Sequence, residues 1–353
     1  MTCCPELRDR RTAPRLSRSF NPMDGPPARI RRISVTGRIS AGHPPPPPVV
    51  PARRRTRVSP MTTRGSVLIT SCADGLGLRI AVTAAAAGWR VFATMPDPSR
   101  AGALRSALAT AGVDATVLQL DPEDDASVTR AVTLAMQATG NRLDAVVTVP
   151  GETPLGFFED LTAAQVRHTL DGVLFGAMAV VRAALPTMRR RRQGKIITIS
   201  SHAALTPSPT LSALAAATWA LEGWSEALAL EVAPFGLSVT VLQPSLEGSL
   251  TGGTQLRRDS GYRLLVDRAE PRVRASARYE ASAEHEVADA VLATLADPTP
   301  PLRLPVGRQA RSATWRRRLL PFRGLADGVA RATGLTGPAP ESGADRRWRR
   351  RLG

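Results

Sequence analysis

Residues 61–311 predict an α/β domain: a doubly wound parallel sheet covered by helices on both faces, in three αβα layers. Two observations carry this expectation. Short apolar, β-branched runs alternate with Ala- and Leu-rich helical stretches, the pattern of a parallel sheet. The first run also passes through a glycine turn directly into a helix, and right-handed crossovers then place ligands at the carboxyl ends of the strands.

The elements follow in order. A strand at Ser66–Thr70 leads to a helix near Gly75–Gly88, then a strand at Arg90–Thr94. A helix at Ser99–Ala111 precedes a strand at Ala115–Leu120, and a helix at Asp125–Ala138 precedes a strand at Leu143–Val149. One long helix is predicted over Thr162–Arg190, a strand over Ile196–Ser200, a second long helix over Thr210–Val232 and a strand over Ser238–Leu242. Residues 245–280 are polar and irregular and are expected to cover the site. A helix at Glu284–Leu295 and a strand at Leu302–Leu304 close the domain. Beyond it, Ser312–Leu325 reads as a short basic helix with Trp315, Leu319, Leu320 and Phe322 as apolar members. Its outer contact is a membrane surface or a partner, or else it packs on its own domain.

Charge divides the chain into the same parts. The net charge is +17. Residues 1–60 hold 13 arginines against three acids, and residues 301–353 hold the same numbers. The interval between is slightly acidic. The basic character therefore belongs to the ends. Residues 1–60, with prolines from Pro44 to Pro48, bury little and predict a disordered Arg/Pro-rich extension. They read as a proline-rich recognition segment, a solvated tail, or a mis-assigned start preceding Met61. Residues 312–353 form a second basic tail.

Only one of the 47 basic residues is lysine, Lys195. Such a bias toward arginine is compositional, and it argues against a nucleic-acid partner. The cysteines, Cys3, Cys4 and Cys72, have neither disulfide nor zinc spacing. No apolar run predicts a membrane span and no apolar stretch follows Arg10-Arg11 as in an export signal, so the expected location is cytoplasmic.

The chemistry-bearing residues lie at strand ends. The first strand runs into Thr70-Ser71-Cys72-Ala73-Asp74-Gly75-Leu76-Gly77, where backbone N–H groups at a helix start can hold a pyrophosphate. The second ends in Ala93-Thr94-Met95-Pro96-Asp97, the fourth in Thr148-Val149-Pro150-Gly151, and the sixth in Pro244-Ser245. Gly194-Lys195-Ile196-Ile197-Thr198-Ile199-Ser200-Ser201 leads to Ala220-Leu221-Glu222-Gly223-Trp224 and then Leu242-Gln243-Pro244.

This order resembles the short-chain dehydrogenase/reductase family, in its hydroxysteroid and retinol dehydrogenase branch, from Gly65 to Ala310. The resemblance implies a Rossmann-type fold and NAD or NADP held by Thr70, Ser71, Gly75, Leu76, Gly77, Asp121, Gly151 and Pro244. Ser71 replaces the first loop glycine. Asp74 adds a carboxylate which, about 5 Å from a phosphate, costs on the order of 3 kcal/mol at an effective dielectric of about 20. Pro96 stands where an arginine favours NADP, which tilts the expectation toward NAD. Asp121 is either the adenine-contacting aspartate or an ordinary turn cap.

The family's reaction uses a serine, a tyrosine, a lysine and an asparagine in general acid–base catalysis beside nicotinamide. Ser201 fits the serine. Leu214 stands in the tyrosine position, Thr218 in the lysine position and Val173 in the asparagine position. His202 is a nearby titratable residue, and the two tyrosines, Tyr262 and Tyr279, lie in the covering segment.

Three expectations follow. The leading one is a catalytically silent or strongly divergent member whose long helices pair it with a second copy or an active relative. The alternative is an atypical oxidoreductase acting on a lipophilic alcohol or carbonyl through His202 or Tyr262. The last is nucleic-acid or anionic-membrane binding by the basic tails.

Overall fold

A computed structural model describes residues 64–151, 153–201, 204–206, 208–244, 257, 260–263, 265–266, 281–333 and 335. All belong to one compact unit that begins at Val58.

Seven parallel strands form one sheet: β1 (Ser66–Ile69), β2 (Arg90–Met95), β3 (Thr116–Gln119), β4 (Ala145–Thr148), β5 (Gly194–Ile199), β6 (Leu237–Pro244) and β7 (Arg303–Val306). Their spatial order is β3-β2-β1-β4-β5-β6-β7. The order reverses between β1 and β4, which is where ligands sit in doubly wound sheets.

Side-chain alternation separates the two cores. Val67, Ile69, Val147, Ile197 and Ile199 face α1 (Gly75–Ala86), α2 (Gly102–Ala111) and α7 (Ala281–Ala296). Leu68, Phe92, Val146, Ile196 and Val239 face α3 (Asp125–Ala138), α5 (Gly176–Arg191) and α6 (Ser212–Val232). Each helix presents an apolar stripe. Leu76, Ile80 and Ala84 recur every fourth residue of α1, and Val287, Val291 and Leu295 do so on α7.

The helix expected over Thr162–Arg190 is divided. α4 (Ala163–Leu170) starts with a capping box between Thr162 and Gln165. A π-helical turn, Asp171–Phe175, follows before α5. The whole stretch Ala163–Arg191 is long and apolar enough to cross a membrane by length and composition, a test that the core helix of a folded domain also passes. Scattered arginines hide this when only unbroken apolar runs are sought. Half of its most apolar window is buried inside the fold.

The end of the chain also differs. Residues expected to form one helix form two, α8 (Arg308–Leu319) and α9 (Phe322–Thr333). Leu320 is extended and Pro321 follows it, which ends α8. α8 begins directly after β7.

Candidate active-site crevice

The strand–turn–helix at the carboxyl end of β1 is built by three residues. Ser71 adopts a left-handed backbone, φ +56°, where the family pattern has glycine. Its hydroxyl donates to the Val149 carbonyl at 2.9 Å. The Thr70 hydroxyl donates to the same carbonyl at 3.0 Å and accepts from the Val149 N–H at 2.8 Å. Both side chains thus tie the end of β1 to the end of β4 across the crevice. The Ser71 hydroxyl points into that seam. Gly77 packs against the turn: a Cβ there would lie 2.1 Å from the Ser71 carbonyl oxygen. Gly75, φ +51°, lies in the open, with Glu284 Oε1 4.0 Å from where its Cβ would be. Leu76 turns its side chain into the core, so only its backbone faces the loop.

Asp74 precedes α1 without capping it through its side chain. Its carboxylate lies 3.5 Å from Arg100, both groups being exposed. The arginine offsets the charge that would oppose a phosphate. Asp97 is satisfied locally, by Ser99 Oγ at 2.7 Å and Ser99 N–H at 2.9 Å. These bonds hold its carboxyl below the usual carboxylate range. Cys72 is buried in the loop, and burial pushes its thiol up to about 12, so it carries no thiolate at neutral pH.

Asp121 Oδ1 accepts from the Glu123 N–H at 3.0 Å, and its own N–H donates to Ser127 Oγ at 3.1 Å. It acts as a turn cap in this structure. Gly151 is exposed, and among the described residues a Cβ added there would meet nothing within 4 Å. Pro244 ends β6 opposite Val306. Ser245, His202 and Tyr279 lie outside the described residues. So does most of the segment expected to cover the site.

The positions that would carry acid–base chemistry hold an apolar core. Val173, Leu214, Ala217 and Leu221 join Leu155, Leu174, Ala177 and Leu211 in one buried cluster between the π-helical turn and α6. Thr218 is buried, and its hydroxyl donates to the Leu214 carbonyl at 2.8 Å. Ser201 is buried just beyond β5, and its carbonyl accepts from the Ala204 N–H at 3.1 Å. Tyr262 stacks on Phe157 with ring centroids 4.3 Å apart. Burial and the neighbouring Glu159 carboxylate push its phenol up, away from the range in which a base works near neutrality. Lys195 points the other way. Its Nζ donates to the carbonyls of Thr294 at 3.0 Å, Leu295 at 2.8 Å and Asp297, capping the end of α7 at the amino edge of the sheet. Burial lowers its pKa.

Sequence reasoning used Glu222 only as a register mark and missed its role. Its buried carboxylate accepts from Ser200 Oγ at 3.0 Å, Gln243 Nε2 at 2.7 Å and Arg303 Nε at 2.7 Å. One side chain on α6 therefore fixes the residues before Ser201 and Pro244 and anchors β7. An acid at an otherwise core-facing helical position was the available signal. The hydroxyls of Thr148 and Thr153, both buried near the carboxyl end of β4, have no hydrogen-bond partner among the described residues.

The open turn at Gly75, the start of α1 and the Asp74–Arg100 pair fit a pyrophosphate-bearing ligand.

Comparison with known proteins agrees with this geometry. A family model described as short chain dehydrogenase matches residues 66–256. Retinol dehydrogenase 8 of Bos taurus is 35% identical over 183 residues, which cover 51% of this chain and 58% of that protein. The chain thus spans little more than half the length of that relative. Oxidoreductase BOA17 of Botryotinia fuckeliana is 32% identical over 245 residues, 69% of this chain and 88% of that protein. The crystal structure of a short-chain dehydrogenase from Streptomyces avermitilis superposes with a TM-score of 0.62 at 27% identity, covering 77% of this chain and 95% of that one. The chain belongs to the short-chain dehydrogenase family, whose NAD(P)-binding oxidoreductase fold it shares.

Proposed function

We propose that this protein is a catalytically silent or strongly divergent family member that keeps a ligand crevice but not the family's proton chemistry. One observation carries the reading: Leu214 and Val173 are core residues of the same apolar cluster. Thr218 beside them spends its hydroxyl on helix backbone. An ionisable group is absent from these three positions, and general acid–base assistance contributes about 10²–10⁴-fold to rate.

The crevice itself favours a dinucleotide, NAD or NADP. Its redox chemistry would come from the nicotinamide; the chain's part is to hold the phosphates at α1 and to offer Thr148 and Thr153 to a polar group. Buried hydroxyls without partners are uncommon and call for such a group or an ordered water. The retained role is association through α4–α5 and α6 with a second copy or an active relative. Phe175, at the end of the π-helical turn, and Trp219 on α6 are exposed.

The experiment is a calorimetric titration of NAD, NADH and NADPH, followed by turnover against a panel of lipophilic carbonyls. Binding without turnover is the expected result. Reduction of any carbonyl that is lost in Ser201→Ala establishes instead the atypical oxidoreductase reading.

A further inference from the structure

The elbow between α8 and α9 carries an apolar patch with no role in the crevice. Trp315 is 63% exposed, Leu319 72%, Leu320 43% and Phe322 63%. Four large apolar side chains within eight residues are more than the scattered singles normal on a protein surface. Helical geometry orders them. At about 100° per residue, Trp315 and Leu319 share one side of α8, and Ala310 and Ala313, both buried, occupy the opposite side. Arg316 flanks the outward apolar stripe on one edge, and Arg311 and Arg318 flank it on the other. Arg317 lies over the Trp219 ring, 5.2 Å from its centroid, and holds α8 beside α6. Across the break at Pro321, Phe322 and Arg323 extend the same mixture.

Charge identifies what covers this patch. Residues 308–333 contain seven arginines and a single acid, Asp327. A second copy docking on the same face would oppose arginine with arginine. The chain's own residues 336–353 add five arginines against Glu341 and Asp345, so they complement it no better. A nucleic-acid backbone would match the charge but gains little from Leu319 and Leu320. An anionic lipid surface matches both parts. Trp, Phe and Leu side chains enter the headgroup boundary, and flanking arginines reach back to phosphates along their aliphatic stems.

We propose that the α8–α9 elbow is a docking surface for an anionic bilayer. Trp315, Leu319, Leu320 and Phe322 insert shallowly, and Arg311, Arg316, Arg318 and Arg323 pair with lipid phosphates. This inference does not depend on the function proposed above.

Flotation of the full chain with vesicles tests it. Phosphatidylcholine vesicles with about 30 mol% phosphatidylglycerol are expected to carry the protein, and pure phosphatidylcholine vesicles are not. Arg316→Gln with Arg318→Gln and Arg323→Gln should lower partitioning by about 100-fold. Leu319→Ser with Phe322→Ser should lower it by at least about 10-fold, with the thermal transition unchanged because both side chains are exposed. The serine variant keeps every arginine, so undiminished flotation of that variant overturns the proposal. So does absence of flotation at low salt. Retention by single-stranded DNA that ignores the serine changes, with no flotation, assigns the surface to nucleic acid instead.

Discussion

Gly77 is confined to glycine by contact rather than by its own backbone angles. A β-carbon there meets the Ser71 carbonyl oxygen at 2.1 Å. Gly77→Ala should therefore cost about 1–3 kcal/mol in urea denaturation. Gly102→Ala in α2, where nothing lies within 4 Å, should be neutral or slightly stabilising. Leu214 supplies a second case. As a core residue it should lose about 2–4 kcal/mol on truncation to Ala, without any change in the pH profile of ligand binding. A catalytic or cofactor-positioning residue would shift that profile and leave stability nearly intact. Flanking residues fix the register that sets Leu214 and Thr218 at the positions the resemblance assigns to tyrosine and lysine. The sequence did not show that Val173, Leu214 and Leu155 form one packed cluster, because they are far apart along the chain and meet only through the fold. Asp74 is similar. Its opposition to a phosphate was legible, but its pairing with Arg100 depends on how the turn after β2 is aimed.

At the scale of elements, α6 is bound to three strands by the Glu222 carboxylate. Glu222→Ala leaves Ser200, Gln243 and Arg303 without their shared acceptor and should cost about 3–5 kcal/mol, read by chemical denaturation. Glu226 shares Arg303 but stands at the surface. The hydrogen bond and charge of Arg303 hold its carboxyl below the ordinary glutamate value. Its contribution is thus present above about pH 4.3 and lost as pH falls through the lower folded value. Acid titration of stability should show the gap between the wild-type chain and Glu226→Gln narrowing below about pH 4. The order and type of elements were legible from periodicity. The division of the α4–α5 stretch was not, because a π-helical turn is one extra residue in a pattern that otherwise continues. Such turns are frequent at functional sites, and this one contributes Val173 and Leu174 to the buried cluster with α6.

For the whole molecule, the alternation of strands and helices was enough to predict the sheet and its layers. The two helices at the end of the domain were read as one because Pro321 ends α8 and opens a second helix rather than a tail. The paired-helix expectation has a direct measure. Sedimentation should give a dimer that dissociates in Phe175→Ser, a change to an exposed side chain that leaves each protomer folded. A monomer at all concentrations removes self-association from the proposed role.

Lys195 gives the molecule a built-in reporter. Besides the α-amine at the start of the chain it is the sole primary amine, and three carbonyls occupy it at the floor of the sheet. An amine-directed reagent should modify it slowly in the native protein and faster in step with opening of the α7 terminus. A ligand added at the far edge should slow that reaction only by stabilising the whole domain. The rate at one natural atom then reads ligand affinity from the opposite side of the fold, with no introduced label.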